Sequence, residues 1–199
     1  MIFRYPDDPC RIPFSELEYY EKQGNWLCQP KWDGWRRPGY LESKGGKWEF
    51  HSKYEKGEQT TEPPAGLVAE FASLGFPDGT AFDMEWMGPR VIDALRGRHF
   101  FVLLDLLYWN GQWQGDVQCR HRYENMRTLA ALHKARQKVP TPNVMVVDSV
   151  DSGFVEMYRD QMRNPLTEGV VIKHGISTLL GNFRRPVDNP LWKKAKYRE

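Results

Sequence analysis

Three observations predict an α+β fold built mostly from antiparallel sheets. Strand-like segments outnumber helical ones, they come in runs that do not alternate strictly with helices, and no linker-like tract divides the 199 residues. A chain of this length can bury one good-sized core, and a 40% hydrophobic composition with eight tryptophans supplies the material. A single domain spanning 1–199 is therefore expected.

The elements follow in order. Residues 1–14 are proline-rich and read as an extended surface segment. Ser15 followed by Glu18 is a capping-box pattern, and a short helix runs to Gln23 and stops at Gly24. Residues 26–32, 35–41 and 47–52 read as strands, with Gly45-Gly46 as a turn. Residues 65–74 read as a helix ended by Gly75. Ala81 to Trp86 is a strand, and His99 to Trp109 is a longer apolar one followed by the hairpin dipeptide Asn110-Gly111. Tyr123, Met126, Leu129 and Leu132 place an apolar stripe on a helix over 119–137. Residues 143–150, 169–173 and 191–196 are strand candidates, and 153–163 is a helix capped by Asp151 or Ser152.

Charge and cysteine usage narrow the function. The formal net charge is +2, from 28 basic and 26 acidic residues, which excludes a histone-like polycation but allows a local basic groove. No apolar run approaches the length of a membrane span. Three well-separated cysteines (Cys10, Cys28, Cys119) fit reduced thiols in a cytoplasm better than disulfides or a zinc cluster.

The densest chemistry lies in Lys31-Trp32-Asp33-Gly34-Trp35-Arg36. A lysine among tryptophans is expected to be poorly hydrated, which disfavours its ammonium form relative to an ordinary pKa of about 10.4. The neutral amine is a nucleophile. Arg36 offers a fork suited to phosphate, and Gly34 admits a close ligand. Attack of Lys31 on a phosphate is the implied chemistry. Asp83 and Glu85 share one face of a strand, where a divalent cation or ribose hydroxyls would relieve their repulsion; two solvated acids on an edge strand would read the same way. In Glu168-Gly169-Val170-Val171-Ile172-Lys173 the end charges are about 16 Å apart at about 3.3 Å per residue, so they suit opposite ends of one ligand, or else merely flank a buried strand. Lys194 and Lys196 share a strand face, either as a phosphate clamp or as a solvated terminus. Phe100 to Asp105 reads mainly as core. Arg120, Arg122, Arg127, Lys134, Arg136, Lys138, Arg184 and Arg185 are candidate backbone contacts for a nucleic acid, or solvated faces.

These segments, in this order, resemble the covalent nucleotidyltransferase superfamily of ATP-dependent DNA ligases, RNA ligases and capping enzymes. The likeness runs from Gln29 to Lys196. Lys31 to Arg36 resembles the first motif, Phe82 to Glu85 the third, Phe101 to Asp105 the aromatic-to-acid strand after it, Glu168 to Lys173 the fourth as DNA ligases write it, and Trp192 to Lys196 the fifth.

The resemblance implies a nucleotidyltransferase (ATP-grasp-like) fold with the nucleotide in a cleft between sheets, and an ATP-dependent DNA ligase or its adenylation domain. Lys31 would take AMP from ATP, and the AMP would pass to the 5′-phosphate of a nick. Gln29, Asp33, Gly34, Arg36, Glu85, Phe101, Lys173, Lys194 and Lys196 would bind the nucleotide. Glu168, Asp83 and Glu85 would hold Mg2+, and Lys53 would meet the 5′-phosphate. Lys53 stands where the family usually has arginine, and loses its fork. Methionine replaces the commoner glycine between Asp83 and Glu85. No OB-fold is expected within the 199 residues. Thirty residues ahead of Lys31 leave no room for a nicotinamide module, so ATP is the expected donor. The expected partner is nicked duplex DNA, possibly RNA-containing, bound by a cytoplasmic monomer in a bacterial or viral and phage setting. An RNA ligase and a nucleic-acid-binding remnant are the alternatives.

Overall fold

The computed structural model describes residues 4–41, 47–51, 62–88, 93–137 and 140–198. Eleven strands and four α-helices form an α+β arrangement of two sheets among these residues.

The smaller sheet has the order β1-β11-β10-β2: β1 (Asp8–Arg11), β11 (Asp188–Lys196), β10 (Thr167–His174) and β2 (Trp26–Trp32). The larger runs β5-β4-β6-β7-β8: β5 (Trp48–Phe50), β4 (Gly39–Leu41), β6 (Ala81–Met87), β7 (Phe100–Trp109) and β8 (Gln112–Trp113). Two short strands join it off this path, β3 (Trp35–Arg36) on β6 and β9 (Val144–Val146) on β7. Pairing is antiparallel except for β1 on β11 and β9 on β7.

Local chemistry explains the main departures from expectation. Segment 35–41 is broken by Pro38, which cannot donate to a ladder; Arg36 pairs with Glu85 before it and Gly39 with Phe82 after it. Residues 8–11 are a parallel strand on β11. Asp7 beside them is fully buried, accepting from the Leu180 and Gly181 N–H groups and from Asn189 Nδ2. The 143–150 segment pairs only over 144–146, with Val150 bridging alone to Cys28. Asn110 and Gly111 both take positive φ, 49° and 76°, as a tight hairpin between β7 and β8 requires. The expected Gly45-Gly46 turn lies outside the described residues.

Helices α2 (Ala65–Ser73) and α3 (Cys119–Arg136) pack on the larger sheet through Phe71, Leu67, Met126 and Ala130. Helices α1 (Leu17–Gln23) and α4 (Phe154–Met162) cover the smaller one through Leu17, Phe154 and Tyr158. A third cluster of Tyr40, Ala81, Leu107, Tyr108, Leu179 and Trp192 joins the two sheets. Neither Asp151 nor Ser152 caps α4. Glu21, reaching from α1, accepts from Gly153 N–H at 2.6 Å and Phe154 N–H at 3.0 Å. Glu21→Ala leaves two helix-start donors without their carboxylate. It is expected to cost about 1–2 kcal/mol, a fall of roughly 2–8 °C in Tm, measurable by thermal melting.

Among the described residues no helix is long and apolar enough to cross a membrane.

Candidate active site

The two sheets face each other across a cleft of about 430 Å3, lined from the smaller sheet by Asp8, Gln29, Lys31, Glu168, Lys173, Lys194 and Lys196 among others. The larger sheet contributes Arg36, Asp83, Glu85 and Leu104, and Gly34 lines the cleft from the turn between β2 and β3. The volume suits a small-molecule ligand.

Lys31 comes from β2, opposite Gly169 of β10. Its Nζ donates to Glu168 Oε1, and Lys196 Nζ pairs with Glu168 Oε2. One carboxylate thus bridges two lysines from two strands. Burial alone would raise the Glu168 carboxyl, but Lys31 and Lys196 hold it below the ordinary range. The amine is therefore seated on an acid. Trp32 and Trp35, expected to desolvate it, line the same cleft and also lie edge-on against Phe100 and Trp86, packed on the larger-sheet core.

The position of Glu168 depends on a bulge. Strict alternation would put Glu168 and Lys173 on opposite faces of β10, yet both line the cleft. Thr167 and Gly169 pair with consecutive residues Trp32 and Lys31, so Glu168 is the extra residue between them. Gly169 has φ of +153° and sits against the Ala195 carbonyl, which a Cβ would meet at 2.0 Å.

Arg36 lines the cleft, but its guanidinium is committed to protein. Nε and Nη2 donate to both oxygens of Asp83 at 2.8 and 2.7 Å, Nη1 to Asp8, and Nη2 also to the Asp7 carbonyl. Burial opposes its charge, but Asp83 and Asp8 outweigh that and raise its pKa. Since Asp8 belongs to the smaller sheet and Asp83 to the larger, Arg36 clasps the two sheets together from the wall of the cleft.

Glu85 Oε1 accepts from Gly34 N–H at 3.1 Å, and a Cβ at Gly34 would come within 2.8 Å of the Glu85 side chain and 2.6 Å of the Trp86 carbonyl. Burial pushes the Glu85 carboxyl up to about 7, against the pull of Lys31 and Arg36. The folded value lies above the unfolded one, so folding takes up a proton between about 4.5 and 7. This group's contribution is most favourable below pH 4.5 and is lost as pH rises through 7. Glu85→Gln is expected to gain in Tm over the parent progressively from pH 5 to 8, read by melting across that range.

Lys173 Nζ donates to the Leu104 carbonyl at 3.2 Å, lies 3.7 Å from Asp105 and sits 4.3 Å from the centre of the Trp192 ring. Lys194 and Lys196 line the cleft together, while Lys193 lies 6.0 Å from the Tyr20 ring and is absent from its walls. That matches the face assignment read from alternation.

Other expectations are corrected. Phe101 is buried between Phe50 and Phe71 and does not reach the cleft, because β7 turns its side chain into the larger-sheet core. Leu104 is the β7 side chain that faces the cleft. The Asp33 side chain does not line it. Asp83 is a poor cation ligand, since Arg36 takes both its oxygens, and no group of three or more His, Cys, Asp or Glu among the described residues could hold a metal ion by itself. Arg122, a candidate nucleic-acid contact, is fully buried against Asp105. Lys53 and Lys138 lie outside the described residues. Asp8, Trp192 and Val171 line the cleft unforeseen; alternation from Lys194 and Lys196 would have found Trp192, whereas nothing in the Asp7-Asp8 dipeptide foretold its partner.

This architecture is the nucleotidyltransferase fold of ATP-dependent DNA ligases. A mycobacterial DNA ligase D complexed with ATP superposes with a TM-score of 0.70 and 20% identity, covering 98% of this chain and 60% of that one. The ligase domain of M. tuberculosis DNA ligase D gives 0.68 and 18%, covering 96% and 59%. The ATP-dependent DNA ligase of bacteriophage T7, complexed with ATP, gives 0.57 and 14%, covering 96% and 68%. The chain thus spans about half to two thirds of the solved structures it matches. No protein-family model and no curated protein matches it.

Proposed function

We propose that the chain is the adenylation unit of an ATP-dependent polynucleotide ligase, acting as a single domain with the nucleotide in the cleft between the sheets. The observation that carries this reading is Lys31 held on Glu168 in a cleft ringed by Lys173, Lys194 and Lys196. The ligase D and T7 structures, both complexed with ATP, support ATP as the donor.

Lys31 Nζ, its proton passed to solvent in the open cleft, attacks the α-phosphorus. The N–P bond forms as the P–O bond to pyrophosphate breaks, leaving a lysyl-AMP phosphoramidate. Lys173, Lys194 and Lys196 stabilise the charge developing on the transferring group. Glu168 loses one of its two cations as Lys31 moves onto phosphorus. It is thereby the acid best suited to hold a divalent ion, whose part is to neutralise phosphate charge. Glu85, hydrogen-bonded to Gly34, faces the nucleotide with Gln29. A 5′-phosphate oxygen of a nick then takes AMP from Lys31, and a 3′-hydroxyl displaces AMP to seal the strand.

Incubation with ATP and magnesium followed by intact-protein mass spectrometry tests the first step, with a gain of one AMP expected. Absence of the adduct, even at alkaline pH, overturns the reading. Sealing assays on nicked DNA beside RNA-containing nicks fix the substrate, with DNA expected.

A further inference from the structure

We propose that Asp105 is a positioning residue: anchored by Arg122, it fixes the Lys173 ammonium at the floor of the cleft, so that a phosphate-binding lysine on one sheet is set in place from the other sheet and from α3. The proposal rests on reading the cleft as a site of nucleotidyl transfer.

The geometry is a closed buried network. Arg122 Nε and Nη2 each donate at 3.0 Å to the two oxygens of Asp105, and Leu106 N–H donates to the same carboxylate at 2.9 Å. The third Arg122 nitrogen donates to the carbonyls of Val117 and Ser177. The Ser177 hydroxyl accepts from Trp192 Nε1 at 2.9 Å, and the Trp192 ring lies under the Lys173 ammonium. Lys173 is thus held by Asp105, the Leu104 carbonyl and Trp192, two of them on β7 and one on β11.

Stability alone does not call for such a pair. Well-packed apolar residues would hold α3 on β7 at least as well, because two desolvated charges recover little beyond their own burial cost. What an apolar pair could not do is offer a carboxylate to Lys173. A lysine on a flexible four-carbon stem otherwise samples many rotamers. An ammonium with fixed partners needs little rearrangement when charge develops beside it, and one of its three donors goes to Leu104, leaving others for the cleft it lines.

The test is the double variant Asp105→Leu/Arg122→Met, which swaps the pair for apolar groups, with fold and Tm checked first. Without ATP, acylation of lysines read by peptide mass spectrometry should label Lys173 roughly tenfold faster than in the parent, with exposed Lys22 unchanged as control. The rate of AMP transfer at saturating ATP should fall on the order of tenfold, as for other groups that act by orienting a site ligand. Adding Lys173→Met to the double variant should cost little more, although Lys173→Met alone costs as much. A purely structural role predicts additive losses. Parent-like labelling of Lys173 in a folded double variant, or additive losses, overturns the proposal. If the double variant does not fold, Asp105→Glu displaces the carboxylate by one methylene and carries the same readouts. A parent that forms no adduct sinks the function reading, whereas the labelling still decides what fixes Lys173.

Discussion

Lys31→Ala is expected to reduce AMP uptake from ATP below detection, a loss of at least about a thousandfold, because the proposed mechanism makes its covalent link at this amine. The fold should survive, since this side chain ends in the cleft on Glu168 and not in a core cluster. Glu168 keeps Lys196 as a partner. The variant should still seal a nick that already carries AMP, since that step breaks a bond that Lys31 does not make. Intact-mass spectra and a pre-adenylated nick separate the two steps. An alanine variant that still takes up AMP would place the nucleophile elsewhere.

Gly169→Ala carries the largest expected effect on stability. The added methyl meets backbone, the Ala195 carbonyl at 2.0 Å and Lys196 Cα at 2.9 Å, at a φ that side chains rarely adopt. Relief requires separating β10 from β11 or undoing the bulge. A cost upward of about 4 kcal/mol is expected, lowering Tm on the order of 10 °C or more. Any variant that remains folded should also lose AMP transfer, since undoing the bulge turns Glu168 away from Lys31. Thermal melting and adduct formation read both; a variant matching the parent would mean that the bulge does not set the site.

Much of the site was legible in the sequence because the cleft-facing groups sit on short strands, where side chains alternate. Lys194 with Lys196, and Asp83 with Glu85, share the faces that alternation gave them, and both pairs line the cleft. Alternation failed at Glu168, where one extra residue inverts parity, although the glycine after it hinted at a bulge. The carboxylate partners of Arg36, Asp83 and Asp8, were not legible because they lie far off in sequence, and a forked cation looks alike whether it awaits phosphate or already grips carboxylates. Arg122 was read as a surface charge for the same reason: helix periodicity shows which face is apolar, and it cannot announce a buried acid on another strand. Phe101 and Leu104 differ only in which side of β7 they occupy, and an almost wholly apolar strand hides that distinction.

The parallel pairing of β1 with β11 bears on when the protein becomes competent. Residues 8–11 find their neighbours only after translation has passed Lys196, and such distant contacts form slowly. On the ribosome the stretch around Lys31 is therefore exposed before its closing strand exists. Because Lys194 and Lys196 reach the cleft on this same strand, a nascent chain stalled ahead of residue 188 would lack two of the cations that line it.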